Sequence, residues 1–184
     1  MADLKGTFLL GPDSGRVIVK TGRTGLAARA GHDLTIEITG WSVRVIIPDD
    51  GVAAAQITAE LDLGSLAVRE GTGGAKPLTD KDRGDIANTA RTILRQPAAA
   101  FTSTRVVPAG ASGGAIDGTL TLNGRSQPVR LQVTSPAPGR YRGGTTVRQT
   151  DFGITPYTGF FGALKLRDEI GIEFETDLDR AARE

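Results

Sequence analysis

The sequence predicts an all-β protein, an antiparallel sandwich or closed barrel with one helix packed against it. Three observations carry that prediction. Apolar and polar residues alternate one by one over long runs, 25 glycines and polar turns separate those runs, and a single segment has helical spacing. A period of two gives strands with one wet face and one dry face, so functional groups are sought on the dry, inner side.

Short strand candidates at Thr7–Leu10, Arg16–Lys20 and Leu26–Arg29 come first. In the first long run, Leu34, Ile36 and Ile38 hold even positions against Asp33, Thr35, Glu37 and Thr39. His32, the only histidine, shares the apolar phase. Trp41, Val43, Val45 and Ile47 form the next run, which Pro48 ends. Ile57, Ala59, Leu61 and Leu63 then alternate with Gln56, Thr58, Glu60 and Asp62. Gly71–Ala75 reads as a flexible crossover. It lacks the Gly-Lys-Ser/Thr ending of a phosphate loop, and Pro77 stands where a magnesium-binding hydroxyl is needed.

Thr79–Leu94 breaks the alternation. Ile86, Ala87, Ala90, Ile93 and Leu94 follow the spacing of one helix face. Thr79 suits an N-cap, Asp80 and Asp82 favour the first turn, and Gln96-Pro97 stops the helix. Beyond it, Ala98–Val107 and Tyr141–Gln149 read as strands, with Pro108–Gly114 as a surface loop. Leu120 and Leu122, then Val129, Leu131 and Val133, form a hairpin across a five-residue link, Asn123–Gln127. The last run places Leu164, Leu166, Ile170, Ile172, Phe174 and Leu178 in one phase, with Asp168 among them. Pro156–Gly162 gathers Tyr157, Phe160 and Phe161 between glycines, as an apolar lip or as a plug at one barrel end.

At 184 residues the chain fits one domain, 1–184. With 22 basic and 21 acidic residues, scattered, and 5% aromatics, no nucleic-acid partner is expected. The absence of cysteine excludes disulfides, thiolate metal sites and cysteine nucleophiles. One histidine makes a metal site a poor expectation, and no serine lies in a nucleophile elbow, so neither metal ligands nor catalytic residues are assigned. No apolar stretch spans a bilayer, so stable membrane insertion is not expected. Met1–Gly6 shows no signal-peptide pattern, which makes the expected location cytoplasmic, unless a leader has been removed.

Several pieces in one order resemble the YceI-like family. They are Gly31-His32-Asp33-Leu34, the helix opening Thr79-Asp80-Lys81-Asp82-Arg83, and Pro97 followed by Phe101-Thr102-Ser103. Gly118–Gly124 with Pro128-Val129, then Arg148, Asp151-Phe152-Gly153-Ile154 and Asp168-Glu169-Ile170, complete the match over roughly residues 5 to 178. The resemblance implies a lipocalin-like antiparallel barrel of about eight strands that encloses the tail of an isoprenoid or quinone-like lipid. No cofactor other than such a bound polyisoprenoid is implied, the partner is a small amphiphilic lipid, and a homodimer stays open.

Alternation nominates a wall for that interior: Ile36, Ile38, Val43, Val45, Ile57 and Leu61 from the first half, and Leu120, Leu131, Ile172 and Phe174 from the second. Phe101, Phe152, Phe160 and Phe161 join them as ligand-contacting aromatics. The same residues suit a solid core, and alternation does not distinguish a hollow from a filled centre. Two hints favour a cavity, the few bulky aromatics and the small residues Ala53–Ala55 and Ala59 on candidate strands. His32 and Asp168 are the candidates for a polar end. Either they meet inside, or each sits at a strand end capping backbone groups. Non-catalytic lipid binding is the expected function. An enzyme using His32 as base and a packed interaction module without ligand are the alternatives.

Overall fold

Alternation is realised as strands almost everywhere it occurs. The computed structural model describes residues 4–184. Residues Met1–Asp3, on which the expected lack of a signal peptide partly rests, lie outside the described residues. The elements are β1 (Gly6–Leu10), β2 (Gly15–Thr21), β3 (Arg23–Thr24), β4 (His32–Ile47), β5 (Gln56–Gly73), α1 (Asp80–Ile93) and β6 (Ala98–Pro108). They continue with β7 (Gly113–Leu122), β8 (Arg125–Ala137), β9 (Arg140–Arg148), β10 (Thr158–Gly159), β11 (Leu164–Leu166), β12 (Glu169–Asp177) and β13 (Ala182–Arg183).

Eight strands close into an antiparallel barrel in the order β4-β2-β12-β9-β8-β7-β6-β5, with β5 returning to β4. Closure satisfies the edge groups that an open sheet leaves unpaired. β1 continues the line of β2 along the other half of β4, and β13 pairs with β1. A small second sheet, β10-β11-β3, stands at the end of the barrel where β2 finishes and β12 begins.

β4 and β5 join two sequence runs each. In β4 the buried phase is even through Ile38 and odd from Trp41 onward. In β5 it is odd through Leu63 and even from Leu66. Both strands change phase at one place, where the register jumps between Ile38 and Gly40. Asp62 Oδ1 accepts from Gly64 N (2.8 Å), Ser65 Oγ accepts from Gly40 N (2.7 Å), and Ser65 Oγ–H donates to Asp62 O (2.6 Å). The bulge keeps the apolar side chains inward across two extra-long strands.

Thr79 caps α1 with a reciprocal box: its Oγ1 accepts from Asp82 N (3.2 Å), and Thr79 N donates to Asp82 Oδ2 (2.8 Å). The helix packs on β5 beyond the point where β6 leaves it. Asn123 and Gly124, with φ of 53° and 77°, make a two-residue turn between Leu122 and Arg125, tighter than the five-residue link expected. β8 and β9 pair only at Gln132–Thr134 and again at Ala137. Nearer the turn, Gln127–Arg130 and Thr145–Arg148 border a cleft of about 390 Å³ instead.

Three expectations need correction. Leu26–Arg29 is not a strand. The chain bends there and makes a 3-10 turn at Ala28–Ala30, because Ala27 N is taken by Ala163 O (2.9 Å) and no long strand lies alongside. Gly71–Gly73 is not a loop but the end of β5, paired with His32–Leu34. Ala53 and Ala54 lie in a 3-10 turn rather than a strand.

Candidate functional site

The inward phases of the strands surround a hollow lumen of about 700 Å³. That volume falls within the ~300–1,000 Å³ typical of small-molecule sites. Of the expected wall, Ile36, Ile38, Val43 and Val45 of β4 line it, as do Ile57 and Leu61 of β5. Phe101 of β6, Leu120 of β7, Leu131 of β8, and Ile172 and Phe174 of β12 complete the set. Ile86, Ala90, Ile93 and Leu94 turn the apolar stripe of α1 onto the same space. Small side chains at Ala55, Ala59 and Ala99 help leave the centre open.

Three of the aromatics lie elsewhere. Phe152 is 1% exposed and belongs to the core, but it borders the β8–β9 cleft rather than the lumen. The 3-10 turn Gln149–Phe152, closed by left-handed Gly153, swings it under the β7–β8 turn, where its carbonyl accepts from Asn123 Nδ2 (3.2 Å). Phe160 and Phe161 neither line nor plug the barrel. Both have left-handed φ, 49° and 56°, and both point into solvent. Each such conformation costs a bulky residue on the order of 1 kcal/mol.

His32 and Asp168 do not meet. His32 lines the lumen at the end near β10 and β11, with Nε2 2.7 Å from Lys76 O. A carbonyl only accepts, so Nε2 is the donor and holds the chain after β5 in place. A Cβ on Gly74 would stand 2.3 Å from that nitrogen, so glycine is what lets the ring lie flat on the backbone. Asp168 sits outside the lumen because the final run is not one strand. It falls in the break between β11 of the small sheet and β12 of the barrel, where parity does not carry across. Its carboxylate accepts from Thr150 Oγ1 (2.6 Å) and Thr150 N (2.9 Å), and these bonds hold its pKa below the ordinary carboxylate value.

The lumen's polar groups are ones that alternation does not single out. Arg23 lines the same end as His32. Its backbone N donates to Asp33 Oδ1 (2.9 Å), its Nε lies 3.7 Å from that oxygen, and its Nη1 donates to Gly31 O. Thr21 Oγ1 is buried there without a partner among the described residues. Gln149, 8% exposed, also lines the lumen and spends Nε2 on Arg167 O (2.9 Å). Tyr141 lines the opposite end, and burial pushes its phenol above the ordinary pKa. Tyr141, Gln149 and Thr21 carry only weak sequence signals, since a lone hydroxyl or amide in a strand reads as a surface residue. Tyr157, 41% exposed, lines the lumen as well, so the cavity reaches solvent beside the small sheet. Val52 does the same at the other end.

Among the described residues no group of acidic or histidine side chains is placed to hold a metal. The arrangement is suited to taking up a long apolar body with a few hydrogen-bonding atoms near its ends.

No curated protein sequence matches the chain. Among solved structures, Burkholderia cenocepacia BcnA superposes with a TM-score of 0.60 at 19% identity, covering 88% of this chain and 94% of that one. The Campylobacter jejuni YCEI protein gives 0.56 at 15% identity, covering 81% and 84%. A cysteine variant of the latter, solved with a monobromobimane guest, gives the same values. At these identities the likeness is one of fold. The model of the YceI-like domain matches residues 19–178. The chain belongs to the YceI-like family.

Proposed function

We propose that the protein is a non-catalytic carrier that holds an amphiphilic, isoprenoid- or quinone-like lipid in its barrel. The observation that carries the reading is the hollow lumen of about 700 Å³, walled by mostly apolar side chains drawn from every barrel strand and from α1. An empty apolar cavity forfeits the dispersion contacts that a chain inside it regains. The unpartnered Thr21 Oγ1, with the Gln149 amide and the Tyr141 phenol, offers such a lipid a few hydrogen bonds. Membership of the YceI-like family, together with the mainly apolar lining, favours an isoprenoid tail over a compact ligand.

His32 does not support the enzymatic alternative, since its Nε2 is engaged by Lys76 O. Native mass spectrometry of protein purified from its own host, followed by organic extraction, tests the carrier reading. The expected result is a protein peak heavier by the mass of one lipid, which extraction removes. A protein that is repeatedly empty and takes up no prenyl alcohol overturns it.

A further inference from the structure

From the apolar, basic rim beside the lumen mouth, we infer that the protein docks on anionic lipid bilayers through the lip formed by residues 22–31 and 155–167. This inference does not depend on what the lumen holds.

Leu26 and Phe161 are fully exposed, Phe160 is mostly so, and Tyr157 is half exposed. They form one projection. Ala27 N donates to Ala163 O (2.9 Å), the Gly25 backbone lies against Ala163, and Lys165 pairs with Thr24. Consecutive left-handed aromatics are a costly way to build a turn, and here the result is two rings held off the protein surface. Rings so placed suit the headgroup level of a bilayer.

Charge names the partner. The chain as a whole is almost neutral, yet the two lip segments hold Arg23, Arg29, Lys165 and Arg167 and no acidic residue. Arg29, Lys165 and Arg167 form no ion pair among the described residues. Several acids on adjoining elements are already engaged. Asp33 is held by Arg23, Asp168 by Thr150, Glu169 by Arg148, Asp80 by Arg83 and Asp85 by Lys81. A cationic rim around exposed rings complements an anionic membrane surface better than it does a second copy of itself, where like charges would face each other. Tyr157, Leu164 and Leu166 belong to both lip and lumen wall, so docking sets the mouth against the lipid.

Co-sedimentation of the full chain with phosphatidylcholine vesicles, with and without phosphatidylglycerol, tests the inference. Binding is expected to rise with phosphatidylglycerol and fall with salt. Arg29→Gln with Lys165→Gln removes two cations worth about fivefold each near such a surface, so partitioning onto the anionic vesicles drops roughly 25-fold. Phe160→Ser with Phe161→Ser costs roughly tenfold per ring and weakens binding to both vesicle types. Phe161→Trp keeps binding and reports insertion by a blue shift of its emission. Val52→Ser, at the far end, leaves partitioning unchanged. Equal vesicle binding by wild type and the serine variant overturns the inference. So does an equal loss in Val52→Ser, or a protein that ignores vesicles but forms a dimer through the lip.

Discussion

Ala59→Phe puts a ring into the middle of the lumen and tests whether the cavity measures its ligand. Ala59 lies on β5 between Val43 of β4 and Phe101 of β6, with its side chain facing the void. A volume of about 700 Å³, at the ~30 Å³ that a water-sized group takes up, houses roughly 23 chain carbons. Each buried methylene is worth ~0.8 kcal/mol, about fourfold in affinity. Affinity for a graded series of prenyl or alkyl alcohols should therefore climb with length and level off at roughly that carbon count. The phenyl ring occupies the room of about six carbons, so the break should come about six carbons earlier in the variant. Alcohols long enough to fill the wild-type lumen lose at most about 5 kcal/mol, and short ones bind as before. Calorimetric titration, or displacement of a fluorescent fatty probe, reads the break, and an unchanged melting temperature confirms that the barrel has absorbed the ring. The reasoning is refuted if both proteins level off at the same length, or if affinity does not depend on length.

Glycine positions give opposite signs. Gly84→Ala in α1, where a new Cβ meets nothing within 4 Å, should stabilise by about 1 kcal/mol, seen as a melting temperature higher by about 2–4 °C. Gly74→Ala places a methyl against the His32 ring at φ +73° and should destabilise by at least that much in chemical denaturation. Thr79→Ala removes the Oγ1 half of the capping box and should cost about 1 kcal/mol. The Asp82 pKa, lowered first by the Thr79 backbone N–H and then by Oγ1, should rise only part of the way toward 3.8 in a carboxylate NMR titration, because alanine keeps the backbone donor. The Asp168 pKa is depressed in the fold, so its contribution to stability is present above 3.8 and is lost as pH falls through the lower folded value. Thr150→Ala should raise that folded pKa and shrink the acid-side dependence.

Alternation was a faithful guide wherever a strand kept one face to the lumen. Ile36, Val43, Leu120 and Ile172 were legible for that reason, as was the α1 stripe. It misled where the chain left the barrel and came back. Asp168 keeps the parity of Leu166 and Ile170, yet the strands on either side of it belong to different sheets. The bulge at Gly40 and Gly64–Ser65 made single strands look like several, with only small residues to mark it. Phe160 and Phe161 show the remaining ambiguity, because hydrophobicity alone does not distinguish a ring that packs inward from one held outward by backbone torsion.

The incomplete stitching of β8 to β9 makes the cylinder unequally stiff around its girth. Val129 and Thr145 face both the bore and the side slit, with no ladder of amide bonds between them to resist parting. Thermal breathing will therefore favour this meridian, and the amides of Gln127–Leu131 that face the slit will be among the earliest barrel protons to exchange with deuterium.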